Sequence, residues 1–269
     1  MNSQGKWKAK PVDEGEWMLV EPREVEDSYD ELYMACEYLD TGSPAKAKKT
    51  LNKVLASAPT HIDALHHLAI ILDTEGNENE ARELWSKGAG IGRNALPKKF
   101  KKGDKLEWGW LENRPFLRCL EGFGLALLAE DKTDEALSIF EEIISYNPND
   151  NQGIREMLVE LYLDKGCYDD VIKFCKRYLG DMLAGTSYGY PLALFKKGQR
   201  KKADNELKKA IKDMSKVADE LLKKKHRRPK TDMPGYISMG GWDQAYEYWE
   251  HFGDYWDEEA LEWLREVRG

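Results

Sequence analysis

LRCLEGFGLALLAEDKTDEALSIFEEIISYNPND, residues 117–150, decides how the rest of the chain reads. Leu120, Phe123, Gly124 and Leu127 recur at steps of three and four, a polar turn interrupts, and Ala136 and Phe140 resume the step. That spacing puts each apolar set on one stripe of a helix, so the stretch predicts a helix, a tight turn and a second helix. Gly124 and Ala136 are small enough to let two helix backbones approach closely. Phe140 is placed to fill the space between neighbouring pairs, and Pro148 stops the second helix without wasting a hydrogen-bond donor.

The same unit extends upstream. From Ser28 onward Leu32, Ala35, Tyr38 and Leu39 keep the helical step, Thr41-Gly42-Ser43-Pro44 breaks it, and Ala47, Leu51, Val54 and Leu55 form a second stripe closed by Pro59. Ser43 can accept from the free N–H groups of the new helix, and Pro44 sits in its first turn where no donor is missed. A further pair carries Leu65, Leu68, Ala69 and Leu72, a turn at Glu75-Gly76-Asn77, then Ala81, Leu84 and Trp85. Ala47 to Ala81 is 34 residues, and Ala81 to Ala136 is 55, one such period plus an insertion of 21 at about 96–116. Downstream, a fourth pair over 151–183 keeps Met157, Leu161 and Phe174 but has Asp170 where a small residue is expected. A fifth over 184–217 has Leu194, Ala203, Leu207 and Ala210. Pro191 inside its first helix predicts a bend or a shortening, since an interior proline costs roughly 3 kcal/mol.

The 34-residue period, the large-then-small pairs Leu68-Ala69 and Phe123-Gly124, and the small residues Ala47, Ala81, Ala136 and Ala203 resemble the tetratricopeptide repeat family. The resemblance implies an all-α, right-handed superhelical solenoid of helix hairpins with a C-terminal helical cap. The expected layout is a flexible arm over 1–27, two units over 28–95, the insertion over 96–116, three units over 117–217, and an end segment over 218–269. In the arm, Trp17-Met18-Leu19-Val20 is an isolated apolar patch that could dock on the body. In the end segment a helix is expected to run to about Lys225, followed by the basic stretch 223–230, a loop through Pro234-Gly235 and a Trp-rich cap. The tail YISMGGWDQAYEYWEHFGDYWDEEALEWL is similar to an ending found on tetratricopeptide proteins grouped with the suppressor of tumorigenicity 7.

In that family the first helix of each pair lines a concave groove that receives peptides or partner helices. Carried onto this chain, the resemblance places Tyr29, Leu32, Cys36, His66, Ile70, Arg118, Glu121, Arg155, Tyr162 and Tyr188 along the groove. Arg118 and Arg155 would grip an acidic or carboxy-terminal group. Leu32, Cys36 and His67 stand where the subclass that captures chaperone tails has Lys and Asn, so that specificity is not implied. The expected function is a protein-interaction scaffold with a protein partner.

A net charge of −8 over 269 residues argues against a dedicated nucleic-acid binder, because phosphate backbones are recognised by excess positive charge. No apolar run approaches the ~20 residues that span a bilayer, and the first residues lack the apolar middle of a secretory signal, so a cytoplasmic location is expected. Cys36, Cys119, Cys167 and Cys175 are scattered and expected to be reduced. His61, His66 and His67 lack the three- or four-residue spacing of zinc ligands, and Gly88-Ala89-Gly90-Ile91-Gly92 reads as the end of a helix. No catalytic, metal or cofactor site is expected, and the chain reads as a non-enzyme. The competing reading is an enzyme or nucleic-acid-associated factor built on the insertion and the basic stretch, which otherwise reads as a solvated loop. Trp242, Trp249, Trp256 and Trp263 recur every seven residues, giving a buried stripe or a face for self-association.

Overall fold

The structure, a computed structural model, describes residues 5–230 and 237–269. The first four residues and the loop expected at Pro234-Gly235 lie outside them. The chain divides into two compact units, 1–152 and 153–269, taken here in turn.

The first unit opens with strands β1 (Lys8–Asp13) and β2 (Glu16–Val20), paired antiparallel. A single helical turn, α1 (Arg23–Glu26), leads into α2 (Tyr29–Asp40), α3 (Pro44–Ser57), α4 (Ile62–Thr74), α5 (Glu78–Ala95), α6 (Arg114–Ala129) and α7 (Thr133–Tyr146). Gly42 and Gly76 end α2 and α4 with φ of +70° and +80°, a conformation that costs glycine nothing and closes each hairpin tightly. The stripe residues Leu51, Leu65, Ala81, Leu120, Ala136 and Phe140 are completely buried.

The arm over 1–27 was expected to be flexible and is instead a β-hairpin with a built-in seat. Trp17 and Leu19 alternate onto one face, opposite Pro11 and Ala9, and are buried together with Trp7. Each polar end finds a partner. The Trp7 indole donates to the Thr60 carbonyl at 2.8 Å, and the Trp17 indole donates to Asp104 at 2.8 Å. Asn113, wholly buried, accepts from the Leu19 N–H at 2.9 Å and donates to the carbonyls of Trp17 and Glu107 at 3.0 and 3.1 Å. The insertion is therefore the surface on which the hairpin rests. Phe100 packs between Trp17 and Tyr146, and Lys105 exchanges backbone bonds with Gly15 and Trp17.

The glycine run 88–92 lies inside α5 and does not end it. A Cβ on Gly88 would stand 2.5 Å from the Cys119 sulfur, and one on Gly92 would stand 2.1 Å from the Phe116 ring. The glycines are spent on bringing α6 against α5, and Gly122 answers from α6 by making room for Trp85.

The second unit contains α8 (Ile154–Asp164), α9 (Tyr168–Cys175), α10 (Ala184–Lys196), α11 (Arg200–Asp213), α12 (Ser215–Leu221), α13 (Trp242–Phe252) and α14 (Glu258–Arg268). Helix α10 runs its 13 residues through Pro191 without the expected shortening, and Tyr188, Leu192, Ala193 and Leu194 around the proline are all buried. The long helix expected to reach Lys225 breaks at Met214, where φ −137° and ψ 62° leave the helical region, and ends at Leu221.

The basic stretch is anchored at Lys223, His226 and Arg228 and otherwise exposed, as a solvated loop would be. Glu220, 1% exposed, pairs with Lys223 and with His226 at 3.0 Å, and the His226 ring stacks on Trp249 at 3.7 Å. Arg228 pairs with Glu250 and lies over the Tyr246 ring at 5.4 Å. Three side chains of the stretch are thus held within the unit, while Lys224, Lys225, Arg227 and Lys230 stay exposed. Of the tryptophans spaced by seven, Trp242 stays 40% exposed, whereas Trp263 stacks on Phe195 at 4.2 Å and donates to Asp204 at 2.8 Å, and Trp256 donates to the Tyr248 hydroxyl at 2.9 Å. Both indoles are buried in their own unit, so they are core and not a free surface. Among the described residues no helix is long and apolar enough to cross a membrane.

Candidate functional site

In the first unit, the helices that open each pair carry a connected row of side chains. Tyr29 on α2 donates its hydroxyl to Glu21 at 2.5 Å and meets the His61 ring edge-on at 5.2 Å. Burial pushes the Glu21 carboxyl up to about 6 and raises the Tyr29 phenol further beyond its ordinary range. Cys36 lies 3.6 Å from His67 Nε2, and His67 in turn lies 3.8 Å from Asp63. A thiol, an imidazole and a carboxylate in sequence resemble a nucleophile's relay, but the electrostatics run the other way. Burial and Asp63 both raise the Cys36 thiol, which keeps it protonated and unreactive.

Asp63 also holds Arg118, its carboxylate 3.3 Å from the guanidinium. His66 accepts from the Trp85 indole at 3.3 Å through Nδ1, which places its proton on Nε2. Burial, reinforced by His67 and Arg118, drops the His66 imidazole to about 3. Glu121 accepts from Gln152 at 2.6 Å, and its carboxyl is raised by burial.

These groups surround a cavity of about 510 Å³ between α4 and α6. Its apolar bed is Trp85, Ile70 and Leu125, and the last two are 39% and 44% exposed. Asp73, Glu121 and Arg118 supply the charge on its wall. Two wall atoms, Arg118 Nε and Gln152 Oε1, are shielded from water and have no hydrogen-bond partner, a condition that folded proteins rarely leave in place. On α2, Tyr33 and Met34 are exposed, and the Tyr33 ring meets that of Tyr29 at 5.6 Å.

Of the residues assigned to the groove by resemblance, His66, Ile70, Arg118 and Glu121 line this cavity, while Tyr29 and Cys36 lie along the same row on α2. Leu32, Tyr162 and Tyr188 do not belong to an open surface. Leu32 is 1% exposed, Tyr162 packs edge-on against Phe174, and Tyr188 is completely buried with its hydroxyl donating to the Met214 carbonyl at 2.7 Å. Each lies one helical step inside the groove face, where the apolar core begins. Arg155, in the second unit, pairs with Asp181 at 2.9 Å and stacks over Tyr178. Both arginines expected to grip an acidic partner therefore already hold carboxylates of their own unit.

The sequence reading missed Trp85, Asp73, Leu125, Trp108 and Gln152. Leu125 was open to discovery, because it follows Arg118 by seven positions and Glu121 by four and so shares their face. Gln152 falls in a loop, where no periodicity marks it.

Paired helices closed by tight turns, with small residues at the crossing points, define the class: this is an all-α protein of the tetratricopeptide type, with one β-hairpin added. A tetratricopeptide repeat protein from Parabacteroides merdae superposes with a TM-score of 0.51 at 14% identity, over 71% of this chain and 68% of that one. The MamA protein superposes with a TM-score of 0.50 at 18% identity, over 72% and 95%. Both likenesses concern the fold alone. A family model described as transcriptional repressor TCF25 matches residues 25–268, and the chain belongs to that family. The match takes in the Trp-rich tail. No curated protein matches the sequence.

Proposed function

We propose that the chain is a non-enzymatic scaffold that holds a segment of a partner protein on the first-helix face of its first unit. The observation that carries this reading is the cavity between α4 and α6. It is open, bedded on exposed Ile70 and Leu125, and continuous with a row of aromatic and polar side chains longer than a small molecule needs. Burial raises the Cys36 thiol and so keeps it in the protonated, weakly nucleophilic form, which favours holding over chemistry.

The family's description as a transcriptional repressor supports a protein of the transcriptional apparatus as the partner. A chain of net charge −8 is better suited to reach a gene through another protein than through DNA. Affinity capture from cell extract with the parent and with Leu125→Glu tests this. A defined protein should be captured by the parent and lost from the variant, and tethering the chain at a reporter promoter should repress it less when Glu replaces Leu125. Retention of every captured protein by the variant would overturn the reading.

A further inference from the structure

The charge around the cavity says what kind of segment fits it. Its wall carries two carboxylates, Asp73 and Glu121, against one guanidinium, Arg118, and that guanidinium is already engaged by Asp63. Asp73 is exposed at the rim, while Glu121 is half-buried. Anions approaching this wall meet repulsion, and cations find compensation for a carboxylate that burial has made costly to ionise. The bed beneath is apolar: Trp85, Ile70 and Leu125 offer a slot into which a large side chain fits.

Resting on the reading of this face as the binding face, we propose that the cavity receives a large aliphatic or aromatic side chain from a partner segment that bears a lysine or arginine beside it. The cation pairs with Asp73 and Glu121, and the apolar anchor displaces water from Ile70 and Leu125. An acidic or carboxy-terminal segment is disfavoured, the reverse of what the two arginines suggest from the sequence.

Fluorescence anisotropy on the full chain decides this with two labelled synthetic peptides, one with Leu flanked by Lys and one identical except for Glu in place of each Lys. The Lys peptide should bind the parent about tenfold or more tightly than the Glu peptide, in line with the cost of placing like charges together at an interface. Asp73→Lys should shrink or reverse that preference, and Leu125→Glu should abolish binding of the Lys peptide. Both positions are exposed, so neither change disturbs the core. Equal or tighter binding of the Glu peptide, indifference to Asp73→Lys, or no binding of either peptide would overturn the inference. If these results fail while Leu125→Glu still loses the captured protein, the scaffold reading stands without this specificity. If the captured protein is retained, the scaffold reading itself falls.

Discussion

Two glycines in α5, two residues apart, should respond to alanine with opposite signs. A Cβ at position 92 would stand 2.1, 2.5 and 2.7 Å from the Cδ2, Cγ and Cε2 atoms of Phe116. That ring cannot withdraw, because it is completely buried and rests against Tyr146 at 5.7 Å. Forcing a methyl into such a site costs roughly 1–3 kcal/mol, and alanine's better helix propensity returns about 0.8–1 kcal/mol. The difference of those two terms is about 0–2 kcal/mol, and the 2.1 Å approach puts the site at its upper end, so Gly92→Ala should destabilise the unit by up to about 2 kcal/mol. At position 90 nothing lies within 4 Å of the added Cβ, so only the propensity remains and Gly90→Ala should stabilise by about 0.5–1 kcal/mol. Urea unfolding followed by far-UV circular dichroism, with thermal melts beside it, would read the difference. One kcal/mol moves the midpoint by about 2–4 °C in a domain of this size class. If the two variants match each other, or if Gly92→Ala is the more stable, the close approach of α5 and α6 is not what the glycines are for.

Asn113→Ala should free the β-hairpin from the insertion, since it strips partners from the Leu19 N–H and the Trp17 carbonyl at a cost of about 1–3 kcal/mol for each buried group left unpaired. Hydrogen exchange at Leu19 should accelerate, and unchanged protection there would refute the role. Glu220→Ala should release Lys223 and His226 from their shared carboxylate and hasten tryptic cleavage within 223–230, and an unaltered digestion rate would show that the stretch was never pinned. The His66 imidazole lies at about 3 when folded against 6.5 when exposed. Above pH 6.5 both states are neutral; below it the unfolded chain takes a proton that the folded chain refuses until about pH 3, so stability is lost as pH falls, by about 1.4 kcal/mol per pH unit. The stability advantage of the parent over His66→Gln should shrink across that window, and parallel pH profiles would refute the assignment.

Helix pairing was legible because it is local. Each stripe advertises itself within a dozen residues, and Leu65, Leu68, Ala69 and Leu72 are all buried as their spacing requires. How wide a stripe is cannot be read the same way. One position on a helix turns by about 100°, so Leu32 and Tyr188 fell into the core while Ile70 remained at the surface. The β-hairpin left almost no local signal: its buried Trp17 and Leu19 make one alternation, and the side chain that satisfies Leu19 lies 94 residues away. The glycine run misled for a related reason. Glycine usually marks a helix end, and only the facing Phe116 and Cys119 explain why it is kept inside one.

Electrostatic partners are the least local feature of all, and they change which experiment is informative. Arg118 and Asp63 are 55 positions apart in sequence, so an arginine on a groove face reads as a hook for an acidic guest until its own carboxylate is located. Once the pair is known, Arg118→Ala becomes a poor probe of binding. It leaves Asp63, whose Oδ1 is shielded from water, with only His67 at 3.8 Å. Loss of one member of a buried pair destabilises the fold through the charge left behind. A binding defect in that variant would then report on α4 and α6 coming apart as readily as on a lost contact. Leu125→Glu does not share this ambiguity. Its side chain touches the cavity, is 44% exposed and carries no charge partner, so a loss of binding without a loss of stability localises the guest to this face.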